Sequence, residues 1–356
     1  MRSFLKSFLR FLIFLSIGVI ILYFIYDNLN TAYLEDCALK GIPEESCSLM
    51  QKLIDDFASA SKFWLLIVIL TFMLRNIIRA IRWQMLLRPL GYEVSMGNSF
   101  FAIMLGYFAN LGLPRMGEFI RAGALARNEN IPFERSMGTI VVDRVMDFIC
   151  LGIMLVLGFL FNFTAIWKFV VDSPLMQLTA YWYIMLILFL LGLGFLWRIR
   201  RWLKSEKIGP AWIEKIKDIT RGFAEGLSSV RKVDNIPLFL FYSGAIWFLY
   251  YLMTYLCFFA YEPTSHLPPV AGLIVFDLGA IGMVIPSPGG MGTYHYMLMQ
   301  GLLLFGVDRI SGFAFANILF FSIQIFCNIA FGLLALAVLP RLKKKNVITE
   351  TQDQKP

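Results

Sequence analysis

Long apolar runs recur along this chain, and they restrict its fold more than any other feature. A bilayer core about 30 Å thick takes roughly 20 helical residues to cross, and Leu178–Trp197, Pro237–Tyr261 and Phe313–Leu339 all reach that length. Without water to satisfy backbone N–H and C=O groups, only helices or a closed barrel can span. Barrel strands would alternate in segments of about 10 residues, whereas these runs are continuous, so the chain reads as an all-α polytopic membrane protein. Composition agrees: 16% of the 356 residues are charged, against about a quarter in soluble domains. An ordinary cytosolic enzyme, a disordered chain and, with five cysteines, a disulfide scaffold are excluded.

Charge then orients the chain. The first run, Phe11–Tyr26, follows Arg2, Lys6 and Arg10 and lacks an A-x-A-like cleavage site, so it reads as a retained signal anchor. Residues 27–62 hold seven acids against three lysines and are expected to be an extracytoplasmic loop. Cys37 and Cys47 in that loop are spaced to pair in an oxidising compartment, the alternative being two unpaired thiols. Further spans are expected at Phe63–Leu87, Met137–Phe163 and the three runs above. Residues 198–236 form a cytoplasmic segment in which Trp212, Ile216, Ile219, Phe223, Leu227 and Val230 describe an amphipathic helix. Of 32 Lys and Arg, 26 fall on segments assigned to the cytoplasm and four outside, with Arg144 and Arg309 at membrane depth or its edge. By the positive-inside rule both termini are cytoplasmic, in a cell (inner) membrane. The net charge of +8 is thereby read as topology, and no nucleic acid is expected as partner. Residues 1–340 make one transmembrane domain, and 341–356 a basic, polar cytoplasmic tail.

Two apolar segments are interrupted. Ser99–Leu113 is broken by Gly106, Asn110 and Gly112 and ends in Pro114-Arg115-Met116-Gly117-Glu118. Val270–Ile285 runs into Pro288-Gly289-Gly290-Met291-Gly292-Thr293. The topology has the first entered from the cytoplasm and the second from outside. The expected architecture is six to eight transmembrane helices with two re-entrant or broken hairpins of inverted orientation, an arrangement that in transporters points to a midplane substrate site.

Charges at membrane depth add to this. Asp143, Arg144 and Asp147 would each cost about 2.5–3.5 kcal/mol at a bilayer centre and are expected to face inward, toward Arg115, Glu118 and Arg121. Each aspartate can pair with an arginine of the first hairpin. Such a cluster either locks that hairpin to its neighbour or holds an anionic headgroup, since Arg matches phosphate bidentately. Arg75, Arg79 and Arg82, at i, i+4 and i+7, share a helix face and either snorkel with Arg88 to headgroups or build an anion site.

The pattern Asn110-x-x-x-Pro114-Arg115-x-Gly117-Glu118-x-x-Arg121, then Asp143-Arg144-x-x-Asp147, then Pro288-Gly289-Gly290-x-Gly292 resembles the flippase-like family typified by the transmembrane region of lysylphosphatidylglycerol synthases. The resemblance runs from about Phe63 to Leu339. It implies a helical bundle with paired re-entrant elements that moves lipids or lipid-linked molecules between leaflets. It marks Arg115, Glu118, Arg121, Asp143, Arg144, Asp147 and the Pro288–Gly292 turn as site positions, with Asn110 and Thr293 beside them. Where the family usually has a glutamate, this chain has His295. That histidine either binds and releases a lipid phosphate as it gains and loses a proton or hydrogen-bonds the turn. No acyltransferase-like domain follows the last span, so synthesis of a lysyl-lipid by this chain alone is not expected.

The function expected is therefore a lipid flippase for an anionic phospholipid or lipid-linked molecule. The chain is not expected to be an enzyme or to need a cofactor or metal. It has no H-E-x-x-H site, no G-x-S-x-G elbow and only two histidines, His266 and His295, although a pairing of Ser287 with His295 leaves an intramembrane hydrolase as a remote alternative. A second alternative is a non-catalytic partner of a lipid-modifying enzyme or glycosyltransferase, docking through the amphipathic segment. Membrane lipids are the expected ligands, and a homo-oligomer is compatible with the sequence.

Overall fold

The computed structural model describes residues 2–39, 43, 47–112, 116–161, 163, 167, 194, 222–223, 225–285 and 290–342. Among the described residues the regular structure is entirely helical. In chain order the helices are α1 (Arg2–Leu39), α2 (Leu49–Ser59), α3 (Lys62–Leu87), α4 (Met96–Gly112), α5 (Gly117–Glu129) and α6 (Phe133–Phe161). They continue with α7 (Ile236–Phe258), α8 (Pro269–Val284), α9 (Thr293–Leu303), α10 (Arg309–Phe320) and α11 (Asn328–Val338). A π-helical stretch, Phe321–Cys327, joins the last two into one rod.

Among the described residues three helical stretches are long and apolar enough to cross a membrane: Lys62–Leu90, Ile236–Phe258 and Arg309–Arg341. Shorter apolar helices accompany them, among them Pro269–Val284. The expected spans at Phe63–Leu87 and Pro237–Tyr261 match α3 and α7, and the last span starts at Arg309. The expected span at Leu178–Trp197, apart from residue 194, and residues 212–221 and 224 of the amphipathic segment lie outside the described residues, whereas Phe223, Leu227 and Val230 lie within them.

The helices are turned inside out relative to those of a soluble protein. On α3, Leu66, Leu70, Leu74 and Ile77 are exposed while Arg75, Arg79 and Arg82 are buried. On α6, Val145, Phe148, Ile149, Ile153, Val156 and Leu160 make an exposed apolar stripe, and Asp143 and Asp147 face inward. Lipid accepts leucine and phenylalanine but not an unpaired charge, so rotation about the helix axis is decided by where the charges must go.

Residues 27–62, expected to be an extracytoplasmic loop, are largely helical where described. Asp27–Leu39 contains neither Pro nor Gly, so nothing breaks the helix where its apolar run ends, and α1 continues to Leu39. After Pro43 the chain restarts at α2, where the Ser48 side chain accepts the Gln51 N–H at 3.3 Å as N-cap. Cys37 and Cys47 form a disulfide with Cα atoms 6.4 Å apart. Leu29 and Leu49 pack with Met299 and Phe313, tying α1 and α2 to α9 and α10.

Both interrupted segments fold into pairs of closely packed helices. In α4 and α5, Gly106 and Gly117 meet backbone to backbone, and a Cβ on either would overlap the other's carbonyl oxygen. The Gly117 N–H donates to Asn110 Oδ1 at 2.7 Å. In α8 and α9, a Cβ on Gly282 would come 2.8 Å from the Thr293 carbonyl oxygen, and Thr293 Oγ1 donates back to the Gly282 carbonyl at 2.8 Å. Gly290 and Gly292 turn the chain with φ of +80° and +84°, a region glycine enters without a steric penalty.

Candidate functional site

Seven charged residues from α3, α5 and α6 converge. The α3 arginines rise on one helix face at i, i+4 and i+7, and Asp143 and Asp147 on α6 are one turn apart, so two helices crossing at close range can match the rows. Arg79 Nη1 donates to Asp147 Oδ2 at 2.7 Å and to Asp143 Oδ2 at 3.4 Å. Arg82 grips Asp143 through Nε at 3.0 Å and through Nη2, and reaches Asp147 Oδ1 at 2.8 Å. Its other terminal nitrogen donates to Ser243 Oγ of α7 at 3.2 Å. Arg79, Arg82 and Asp143 are each 0% exposed.

The α4–α5 pair contributes Arg121 and Glu118. Arg121 Nη1 bonds Asp143 Oδ2 at 3.0 Å, and its guanidinium carbon lies 3.7 Å above the Trp83 ring, a cation–π contact that shields one face from lipid. Trp83 is itself anchored, its Nε1–H donating to Thr139 Oγ1 at 3.0 Å. Arg144 bridges Glu118 at 2.8 Å and Asp147 at 3.3 Å.

One more cation stands beside the network. Arg75 is 3% exposed and has no carboxylate within 4 Å among the described residues. It donates to Asn76 Oδ1 at 3.1 Å and rests on aromatic faces, 4.2 Å from Tyr250 and 4.6 Å from Phe72. Tyr107, whose ring is 5.9 Å from it, has a buried hydroxyl without a partner among the described residues.

Five arginines therefore face three carboxylates, a formal surplus of two positive charges among the described residues. Arg75 Nε, Arg79 Nε, Arg144 Nε, and Arg121 Nε and Nη2 are also buried without acceptors. Buried cations left unpaired are strongly unfavourable. The arrangement can receive an anion with several acceptor oxygens, for which guanidinium forks are suited.

The expected convergence of Glu118, Arg121, Asp143, Arg144 and Asp147 is thus observed, whereas Pro114, Arg115, Pro288 and Gly289 lie outside the described residues. One of two alternatives falls, and one expectation needs correction. Arg75, Arg79 and Arg82 do not snorkel to headgroups: the carboxylates of α6 lie level with Arg79 and Arg82, and buried pairing wins over a stretched side chain. Arg88 alone of that series is exposed. Asp147, moreover, takes its arginines from α3 and α6 rather than from the first hairpin. With Arg75, Arg79, Arg82 and Arg121 buried in the cluster, four of the 26 cytoplasmic cations no longer count toward topology, leaving 22 against four outside.

Asn110, Gly290, Gly292 and Thr293 are backbone-turn residues in the structure. His295 is 1% exposed and packs against Phe320, with ring centroids 4.6 Å apart, and Phe313 at 6.0 Å. No ion pair or hydrogen bond of the cluster reaches it. Sequence reasoning also missed Ser243, Tyr107, Tyr250 and Trp247, whose Nε1–H donates to Asp147 Oδ1 at 3.5 Å, all ordinary residues of apolar helices, and Asp277 on α8. The last carried a readable signal as the only charged residue between Pro269 and Val284.

Residues 48–332 match the family model described as the lysylphosphatidylglycerol synthase TM region. Two archaeal proteins of Methanocaldococcus jannaschii are similar. UPF0104 membrane protein MJ1078 is 26% identical over 253 residues, covering 70% of this chain and 99% of that protein. UPF0104 membrane protein MJ1595 is 37% identical over 86 residues, 22% of this chain and 26% of that protein. No solved structure matches.

Proposed function

The chain belongs to the lysylphosphatidylglycerol synthase TM-region family, and from that premise we propose that it is a flippase moving an anionic phospholipid or lipid-linked molecule between leaflets. The observation that carries this reading is the surplus, among the described residues, of two buried positive charges with unused guanidinium N–H groups. A phosphodiester supplies the missing negative charge and the missing acceptors. The acyl chains need never leave the apolar surroundings that the exposed faces of α3 and α6 provide.

The two hairpins support a moving part. In both, the residues that bring the arms together are 11 positions apart, Gly106 with Gly117 and Gly282 with Thr293. We take them as related elements of opposite orientation. A transporter rather than an enzyme is favoured because each carboxylate of the cluster is held by guanidinium groups, leaving none free as a general base.

The test is reconstitution in liposomes with headgroup-labelled lipids, read by leaflet-specific quenching. Anionic phosphodiester lipids are expected to cross faster than in protein-free vesicles and faster than zwitterionic ones. If no lipid class is accelerated, or if a phosphate-free glycolipid crosses equally fast, the reading is wrong.

We also assign both termini to the cytoplasm of a multi-pass cell-membrane protein, supported by the 22 to four charge split and by a disulfide in the expected outside segment. Maleimide added to intact cells is expected to reach Cys37 and Cys47 only after a membrane-impermeant reductant. Labelling that requires a permeant reductant would reverse the assignment.

A further inference from the structure

Asp277 sits on α8 with no part in the arginine cluster. It is 4% exposed, and among the described residues both its carboxyl oxygens lack a hydrogen-bond partner. One of them lies against the α6 backbone at Gly158, where any Cβ would overlap it. Two independent features thus coincide: a buried acid without partners, and a glycine whose missing side chain makes room for it.

Among the described residues no neighbouring charge compensates it. α8 packs against α6, α7 and α9, and neither α7 nor α9 contains Lys, Arg, Asp or Glu. The titratable groups these helices do present are turned to other places. On α7, Tyr250 stacks on Phe276 at 6.5 Å, while Tyr251 and Tyr255 lie against Gly272. On α9, Tyr294 lies against Gly279 and Gly282, His295 meets Phe320, and Tyr296 is exposed. On α6, Cys150 and Asp147 are about 12 and 16 Å along the helix from Gly158 at 1.5 Å per residue, with the other ionisable residues of α6 farther still.

An isolated carboxylate in apolar surroundings is prohibitive, and such a group takes up a proton instead. Among the described residues no group of three or more His, Cys, Asp or Glu gathers around Asp277 that could hold a metal ion. We propose that Asp277 is a proton-binding site, closed as the neutral acid while α6 and α8 are packed and releasing H+ to water when they part. An O–H bond forms from a bulk-water proton in one step and breaks to return it in the other, with no redox change. Because α6 carries Asp143 and Asp147 and α8 leads into the second broken turn, protonation is tied to the relative position of the two halves. On the flippase reading, this makes the proton the coupling ion.

Full-length protein in lipid is compared with Asp277→Asn, which keeps the shape and cannot ionise, and with Gly158→Ala, which displaces the acid from the seam. Infrared spectroscopy is expected to show a protonated-carboxyl C=O band at neutral pH that Asp277→Asn removes and Gly158→Ala loses at lower pH. The wild-type thermal midpoint is expected to fall as pH rises through the loss of that band, with the Asp277→Asn midpoint flat over the same window. Absence of the band at neutral pH, or equal pH slopes in both proteins, overturns the proton site. In the liposome assay, coupling of one proton per lipid changes the leaflet ratio about tenfold per unit of pH gradient, and Asp277→Asn abolishes that dependence. A wild-type ratio indifferent to the gradient overturns the coupling role. If no lipid moves while the infrared and thermal results hold, the flippase reading fails and the proton site stands.

Discussion

Asp143→Asn is expected to destabilise the folded protein by about 3–5 kcal/mol, the usual cost of removing one partner from a buried ion network. The side chain keeps its shape but loses the charge that Arg79, Arg82 and Arg121 share. Arg79 and Arg82 would then share Asp147, and Arg121 would keep only Glu118, 3.8 Å away. Thermal unfolding in lipid nanodiscs measures the loss, with Arg144→Gln as the comparison. Arg144 is a third exposed at its side chain, and partly exposed pairs contribute about 1 kcal/mol or less. Equal stability of Asp143→Asn and wild type would mean that this network does not hold α3, α5 and α6 together.

Arg75→Gln is expected to act the opposite way, reducing lipid movement strongly while leaving stability within about 1 kcal/mol of wild type. Arg75 has no carboxylate to abandon, so its removal relieves the burial of an unpaired cation while giving up aromatic contacts of similar size. A phosphate that relied on it would lose a charge-assisted hydrogen bond worth about 1.5–3 kcal/mol, a reduction of roughly ten- to 150-fold in binding. Arg75→Lys should fall between the two, since it keeps the charge and loses the planar fork. Transport by Arg75→Gln at the wild-type rate would remove Arg75 from the anion site. Loss of folding together with loss of transport would show that its role is structural.

Helical architecture and the two interrupted segments were legible in the sequence because both follow from local chemistry. An apolar run in lipid has to satisfy its backbone by forming a helix, and Gly and Pro interrupt it wherever they stand. The inward turn of Asp143, Arg144 and Asp147 was legible for a similar reason. Three charges within five residues of an otherwise apolar run have only one inexpensive direction to face.

The choice of partners was decided by tertiary structure. Arg82 and Asp143 are 61 residues apart in the chain, and nothing near either residue distinguishes a headgroup from a carboxylate as the group it will meet. The glycine contacts between α4 and α5 bring Arg121 and Glu118 to α6 at a particular height, and the rotation of α3 sends Arg79 and Arg82 to the aspartates while leaving Arg75 among aromatic rings. Asp277 could be noticed in the sequence as an isolated charge, yet its lack of a partner among the described residues depends on how α6, α7 and α9 close around it. Local hydropathy and backbone chemistry determine which segments become membrane helices. Which charges neutralise one another, and which are left for a ligand or a proton, depends on distances of a few ångströms that arise only when the helices pack.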